Sequence, residues 1–187
     1  MKYVLIALMI LCCAALWAED EFDSLVVQKK AGVGVCAYVE YGFGDFNGVS
    51  MRSVQAGLKV EMPPWIQLKG YGMVYLEAVG ILDDPRYEFD GLGVSIGPVF
   101  HTDKYAVLPS IGLESGTIRI GEGEYLDGLL GHVYPSHRTE TILYIPVSLE
   151  LQAHIGRVMM LSGRAFAALN SEYPVVGFCL GLGLGWM

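Results

Sequence analysis

Three sets of residues in this chain could do chemistry. Ser136-His137, with His132 and Glu140 close by, supplies a hydroxyl, two imidazoles and a carboxylate, the parts of a nucleophilic hydrolysis site. Glu40, Lys59, Glu61, Lys69, Glu77, Glu114, Glu150 and Arg164 are ionisable groups set singly between apolar residues. Brought together they would form either a polar path or a mutually paired filling. Cys36 and Cys179 could form a disulfide or remain as thiols. There is no Cys-x-x-Cys, glycine-rich phosphate loop or His-Glu-x-x-His. His101 and His154 have no second ligand at useful spacing, so no metal and no cofactor is expected.

The elements that must position these residues show as strict alternation. At the end of the chain Val176, Phe178, Leu180, Leu182, Leu184 and Trp186 fall on one face, and Gly177, Cys179, Gly181, Gly183 and Gly185 on the other. An apolar row suits lipid, and a row of glycines suits the crowded inside of a small barrel. The same period appears in seven earlier segments: 31–44, 51–62, 66–79, 89–100, 105–116, 142–153 and 158–168. Wherever the ionisable residues named above occur, they share the face opposite the apolar row. Tyr38, Tyr71, Tyr75 and Tyr144 lie on that same inward face. Pro98, Pro109 and Pro146 interrupt their segments, so ladder breaks are expected there.

The joins alternate in length. Pro63-Pro64-Trp65, residues 101–104 and the residues around Gly156-Arg157 are tight. Residues 45–50, 81–88, 117–141 and 170–174 are longer, two of them markedly. Short turns at one end and longer loops at the other, with an even strand number, define an up-and-down transmembrane barrel with both termini on the short-turn side. The longest loop contains an apolar run over 124–134, read either as a short amphipathic helix on the rim or as a segment that binds a partner.

Composition agrees. The chain of 187 residues is 53% hydrophobic, yet past residue 18 no uncharged stretch reaches the ~20 residues of a membrane helix. A soluble sandwich or barrel with a solvated outer face would carry more lysine there. Met1-Lys2 followed by the apolar run Tyr3–Trp17 reads as an export signal over residues 1–18, cut after Ala18. Ile10-Leu11-Cys12 lacks the small residues that precede a lipidated cysteine. Residues 19–30 then form a short periplasmic segment and 31–187 the barrel. The net charge of −8, or −9 once the segment bearing Lys2 is removed, excludes nucleic-acid partners.

This all-β, eight-segment pattern over residues 31–187, with its aromatic-ended last strand, resembles the small eight-stranded bacterial outer-membrane proteins. These are the OmpA membrane domain, OmpX, OmpW and the opacity proteins. Met187 after Trp186 departs from their usual terminal aromatic. The resemblance implies a monomer in the outer membrane, in contact with lipid and lipopolysaccharide. It implies insertion by the barrel-assembly machinery, which would read Phe178, Leu180, Leu182, Leu184 and Trp186 as its signal. It also implies a non-enzymatic role as anchor, adhesion surface or narrow conduit for small apolar compounds. The rival is a membrane-embedded lipid-modifying hydrolase. Lipid A deacylases of this fold use a serine, a histidine and an acid, but Ser136-His137 lacks their His-x-Ser-Asn pattern. An eight-stranded lumen is only wide enough for its own side chains, so the eight inward charges are expected to pair as a filling. Cys36 and Cys179 sit on the first and last strands, which must meet, and a bridge between them depends on stagger.

Overall fold

The computed structural model describes residues 33–63, 65–79, 85–101, 105–123, 126–128, 131–155 and 158–186. The export signal (1–18) and the whole segment 19–30 that follows it lie outside the described residues, as do parts of the three tight joins. The strands are β1 (Gly34–Phe46), β2 (Val49–Met62), β3 (Ile66–Glu77), β4 (Tyr87–Pro98), β5 (Phe100–His101), β6 (Tyr105–Glu122), β7 (Leu126–Gly128), β8 (Gly131–Val133), β9 (Ser136–Ile155), β10 (Met159–Leu169) and β11 (Val175–Trp186). β5 keeps the register of β4 against β6, so β4 and β5 act as one strand. Eight antiparallel strands then run β1-β2-β3-β4-β6-β9-β10-β11, and β1 pairs with β11 over twelve positions to close the ring.

Alternation sets the two faces as the sequence requires. Leu58, Leu92, Leu113, Leu143, Leu180 and Leu184 are all more than half exposed, an apolar belt with no protein against it. Their neighbours Lys59, Glu114, Tyr144 and Cys179 are buried in the lumen. The expected proline breaks are present and have a common cause. The β4–β6 register sets Pro98 opposite Pro109, neither with an N–H, and pairing lapses between Ile96↔Ile111 and Phe100↔Val107. The β6–β9 ladder likewise lapses opposite Pro146.

The far end differs from the expectation of loops. Residues 45–50 form a two-residue hairpin turn, with Asn47 at φ 50° and Gly48 at φ 86°. Gly48 N donates to Asp45 Oδ1 at 3.0 Å. Most of 117–141 is strand: β6 and β9 stay paired out to Glu122↔Ser136, with β7 and β8 forming a small hairpin beyond. The expected amphipathic helix is therefore replaced by β structure. The apolar-outward rule missed this extension because polarity inverts beyond the belt. Ile118, Ile120 and Ile142 are buried inward, whereas Arg119 and Thr139 face out.

Inward glycines relieve crowding where the ring is tightest. A Cβ on Gly185 would lie 2.0 Å from Val35 O and 2.5 Å from Cys36 Cα, both backbone atoms. On Gly183 it would meet the movable Cys36 Sγ and Met160 Cε, and on the lipid side of Gly70 nothing at all. Stability measured by urea titration in lipid vesicles should therefore fall most for Gly185→Ala, less for Gly183→Ala and not at all for Gly70→Ala. Leu182→Arg, which puts a charge in the belt, should cost about 2–4 kcal/mol in the same assay.

Candidate functional site

Five strands deliver five charges to one level of the lumen: Glu40 from β1, Lys59 from β2, Lys69 from β3, Glu150 from β9 and Arg164 from β10. All are buried. Glu40 Oε1 accepts from Lys69 Nζ at 3.0 Å and lies 3.5 Å from Lys59 Nζ, while its Oε2 accepts from Arg164 Nε at 2.7 Å. Glu150 Oε2 accepts from Lys69 Nζ at 2.9 Å. Its Oε1 accepts from Lys59 and, at 2.9 Å, from Gln152 Nε2. Both ammonium groups sit over the Tyr38 ring, 4.4 and 4.7 Å from its centroid. The Tyr38 hydroxyl accepts from Gln55 Nε2 at 2.7 Å, and Gln55 in turn accepts from Arg164 Nη2. The register sets Arg164 opposite Glu150, as their spacing about the turn near residue 157 implies. Arg164 nevertheless pairs with Glu40, leaving Glu150 to the two lysines.

The other inward acids lie elsewhere. Glu114 is buried and takes one hydrogen bond, from Tyr71 OH at 2.7 Å. Glu61 meets His101 Nε2 at 2.7 Å near the short-turn end. Glu77, at the opposite end, accepts from Arg86 N at 2.7 Å. The network of eight is thus one cluster of five with three acids apart. His101 and His154 also lie near the short-turn end. Parity turns both inward, with ring centroids 6.4 Å apart, and Trp65 packs edge-on to His101 at 5.4 Å.

Above the charged level the lumen turns apolar, which sequence reasoning missed. Met73, Tyr75, Phe89, Ile118, Tyr144 and Phe166 are buried together, with Phe89 edge-on to Tyr144 at 5.1 Å. The signal was present: Met73, Phe89 and Phe166 occupy inward positions by parity. At the mouth opposite the short turns Phe46 packs against Tyr87 (4.9 Å) and Tyr173 (5.8 Å). Tyr173 OH donates to Glu140 Oε2 at 3.1 Å, and Arg138 Nε donates to Glu140 Oε1 at 2.9 Å. Burial, and after it the hydrogen bond to Glu140, push the Tyr173 phenol above the ordinary tyrosine range. It therefore remains a donor at neutral pH.

The register bears on two alternatives that the sequence left open. Cys36 lies opposite Gly185 and Cys179 opposite Gly42, six positions apart along β1 and hence about 20 Å. Both are free, so the bridge does not form. Cys179 instead lies 3.7 Å from Arg164 Nη2 and 3.5 Å from Ser53 Oγ. Of the hydrolase grouping, the His132 side chain lies outside the described residues, and Ser136, His137 and Glu140 do not assemble into a site. Ser136 and His137 are consecutive on β9 and so point to opposite faces. His137 Nδ1 faces Arg119 Nη2 at 3.2 Å, and Glu140 is engaged by Arg138 and Tyr173.

A closed eight-stranded ring with an apolar outside and a packed inside defines a small transmembrane β-barrel. Solved structures of outer-membrane barrels share this fold. Ail, the attachment invasion locus protein of Yersinia pestis, is 12% identical, with a TM-score of 0.58 over 84% of this chain and 100% of that one. Neisserial surface protein A is 11% identical, with a TM-score of 0.59 over 83% and 99%. The N-terminal barrel of Pseudomonas aeruginosa OprF is 10% identical, with a TM-score of 0.50 over 81% and 97%. No family model and no curated protein matches the sequence.

Removing one member of the five-charge cluster strands its partners in a low-dielectric interior, a cost of about 3–5 kcal/mol. Glu150→Gln should lose that much in vesicle urea titrations, and adding Lys59→Met should recover part of it, since the paired change removes one charge of each sign. Denatured without reductant, the folded protein should yield both Cys36 and Cys179 to a thiol reagent. A protected pair would contradict the register.

Proposed function

We propose that this protein is a non-enzymatic, non-conducting barrel of the bacterial outer membrane that anchors and displays the β6–β9 extension as a contact surface outside the cell. One observation carries the reading: side chains fill the lumen at successive levels along its axis, so the strands that outrun the belt are the part left to act. A charged level, an aromatic level and the Trp65–His101 contact follow one another along the axis, which argues against an axial conduit.

The extension is suited to contact. From Ser136 to Tyr144, β9 pairs with β6 alone, because β10 reaches it only at Ile145↔Leu169. Asn170 Nδ2 donates to Leu143 O at 2.9 Å, where a longer β10 would have paired. An unpaired strand edge offers main-chain donors and acceptors to another chain. Ail is described as an attachment invasion protein and its Neisserial counterpart as a surface protein, and attachment is the role extended here to this chain. In this reading both termini are periplasmic and the protein is a monomer. Lipid and lipopolysaccharide meet its belt, and the barrel-assembly machinery reads its last strand.

Orientation and conduction are both measurable. Thr139→Cys should react with a membrane-impermeant maleimide on intact cells, and Val158→Cys only after the outer membrane is permeabilised. The reverse pattern would invert the barrel. Planar-bilayer recording of the purified protein should give no stable porin-sized conductance, and lipid A mass spectra should match with and without the protein. An open pore would replace display with transport, and altered lipid A would restore the enzyme.

A further inference from the structure

The outer mouth of the lumen carries a ring of side chains that neither the filling of the barrel nor the open β9 edge accounts for. Phe46, Tyr87 and Tyr173 are in contact, Tyr87 is register partner to Ile120, and Ile120 to Arg138. Arg138 and Tyr173 both bond Glu140, which closes the ring. Strands β1, β4, β6 and β9 and the β10–β11 connection therefore converge on one small surface. Below it the aromatic layer is buried. At the ring itself Tyr87 and Tyr173 are half-buried, and the Arg138 side chain is 53% exposed.

We propose that this ring is a binding site for a neutral pyranose sugar, taken as a terminal or internal unit of a glycan. Three features select that class. Tyr173, half-buried and packed on Phe46 by one side, offers an apolar face to the C–H face of a pyranose and keeps a polar handle at its edge. Beside it Glu140 and Arg138 place a carboxylate and a planar guanidinium side by side, a matched acceptor and donor pair for vicinal hydroxyls. Charge decides against an acidic sugar: Arg138 is met by Glu140 and by Glu122 at 3.8 Å, and Glu77 Oε2 accepts from Arg86 N, so the carboxylates here are no fewer than the guanidiniums. Geometry decides against a quaternary ammonium. Phe46 lies only 4.9 and 5.8 Å from its neighbours, too close to admit a cation between rings, and Arg86 already covers Tyr87 at 5.4 Å.

The test uses the purified barrel refolded in an amine-oxide detergent, because a maltoside headgroup would compete. Binding is followed by two-dimensional NMR with a panel of neutral oligosaccharides, including lactose and maltotriose, and with a sulfated heparin disaccharide as comparator. The expected result is saturable shifts at Tyr87, Arg138, Glu140 and Tyr173 with at least one neutral sugar. Tyr173→Ala should weaken that binding by about tenfold or more, and Tyr173→Phe, which keeps the ring, by less. Unboiled gel mobility checks that each variant is folded. If Tyr173→Ala is not, Arg138→Gln, on an exposed side chain, takes its place with the same expected weakening. Absence of saturable shifts across the neutral panel overturns the site, as does tighter binding of the sulfated sugar or binding indifferent to these substitutions. The measurement is independent of which way the barrel sits in the membrane, so its failure is distinct from failure of the display reading.

Discussion

Closing eight strands into a ring is the constraint on which the rest depends. A ring of that size has an interior only about wide enough for its own side chains, so each inward residue must share a small cross-section with seven other strands. The glycines of β11 and the long side chains opposite them are two halves of one solution. Gly181, Gly183 and Gly185 leave the closing seam open, and Glu40, Lys59 and Arg164 reach across it. A bulky residue at Gly185 would strike the backbone of β1, and the ladder that closes the ring would open.

The interior then divides by chemistry along its axis. Three cations and two carboxylates occupy one level, and isolated they would each be costly to bury. They are tolerable because both oxygens of each carboxylate meet a cation and Tyr38 presents its ring to both ammonium groups. Above this the aromatic layer is held by ring packing and resists water. The order matters for function, since a wet path through the charged level still ends at Phe89, Tyr144 and Phe166.

Much of this was legible in the chain. The number of strands, their faces and the inward charges follow from parity, because a one-residue error would have turned a whole strand inside out. Legibility failed where that rule changes sign. Ile118 and Ile120 are inward and apolar above the belt, Arg119 outward and polar, so the extension of β6 and β9 read as loop. It failed again for partner choice. Parity puts Cys36 and Cys179 on one face of adjoining strands but says nothing of stagger, which separates them by six positions. Likewise Arg164 sits opposite Glu150 yet bonds Glu40, because its length lets it pass over β11, whose nearby positions are Cys179 and Gly181.

That inversion of polarity also locates the boundary of the membrane on the molecule. Along β9 the outward row runs Leu151, Leu149, Val147, Ile145 and Leu143, then changes to Thr141, Thr139 and His137. Across β6 the change falls between Leu113 and Ser115, and on β4 between Leu92 and Asp90. On β1 the outward row is still aromatic at Phe43 and first polar at Asp45, one residue before its end. The strands of β1 and β2 therefore turn back just beyond the belt, while β6 and β9 continue well past it. At that end the barrel is asymmetric about its axis. A structure that needed no more than to sit in lipid would have no reason to hold one side of that rim so much higher than the other.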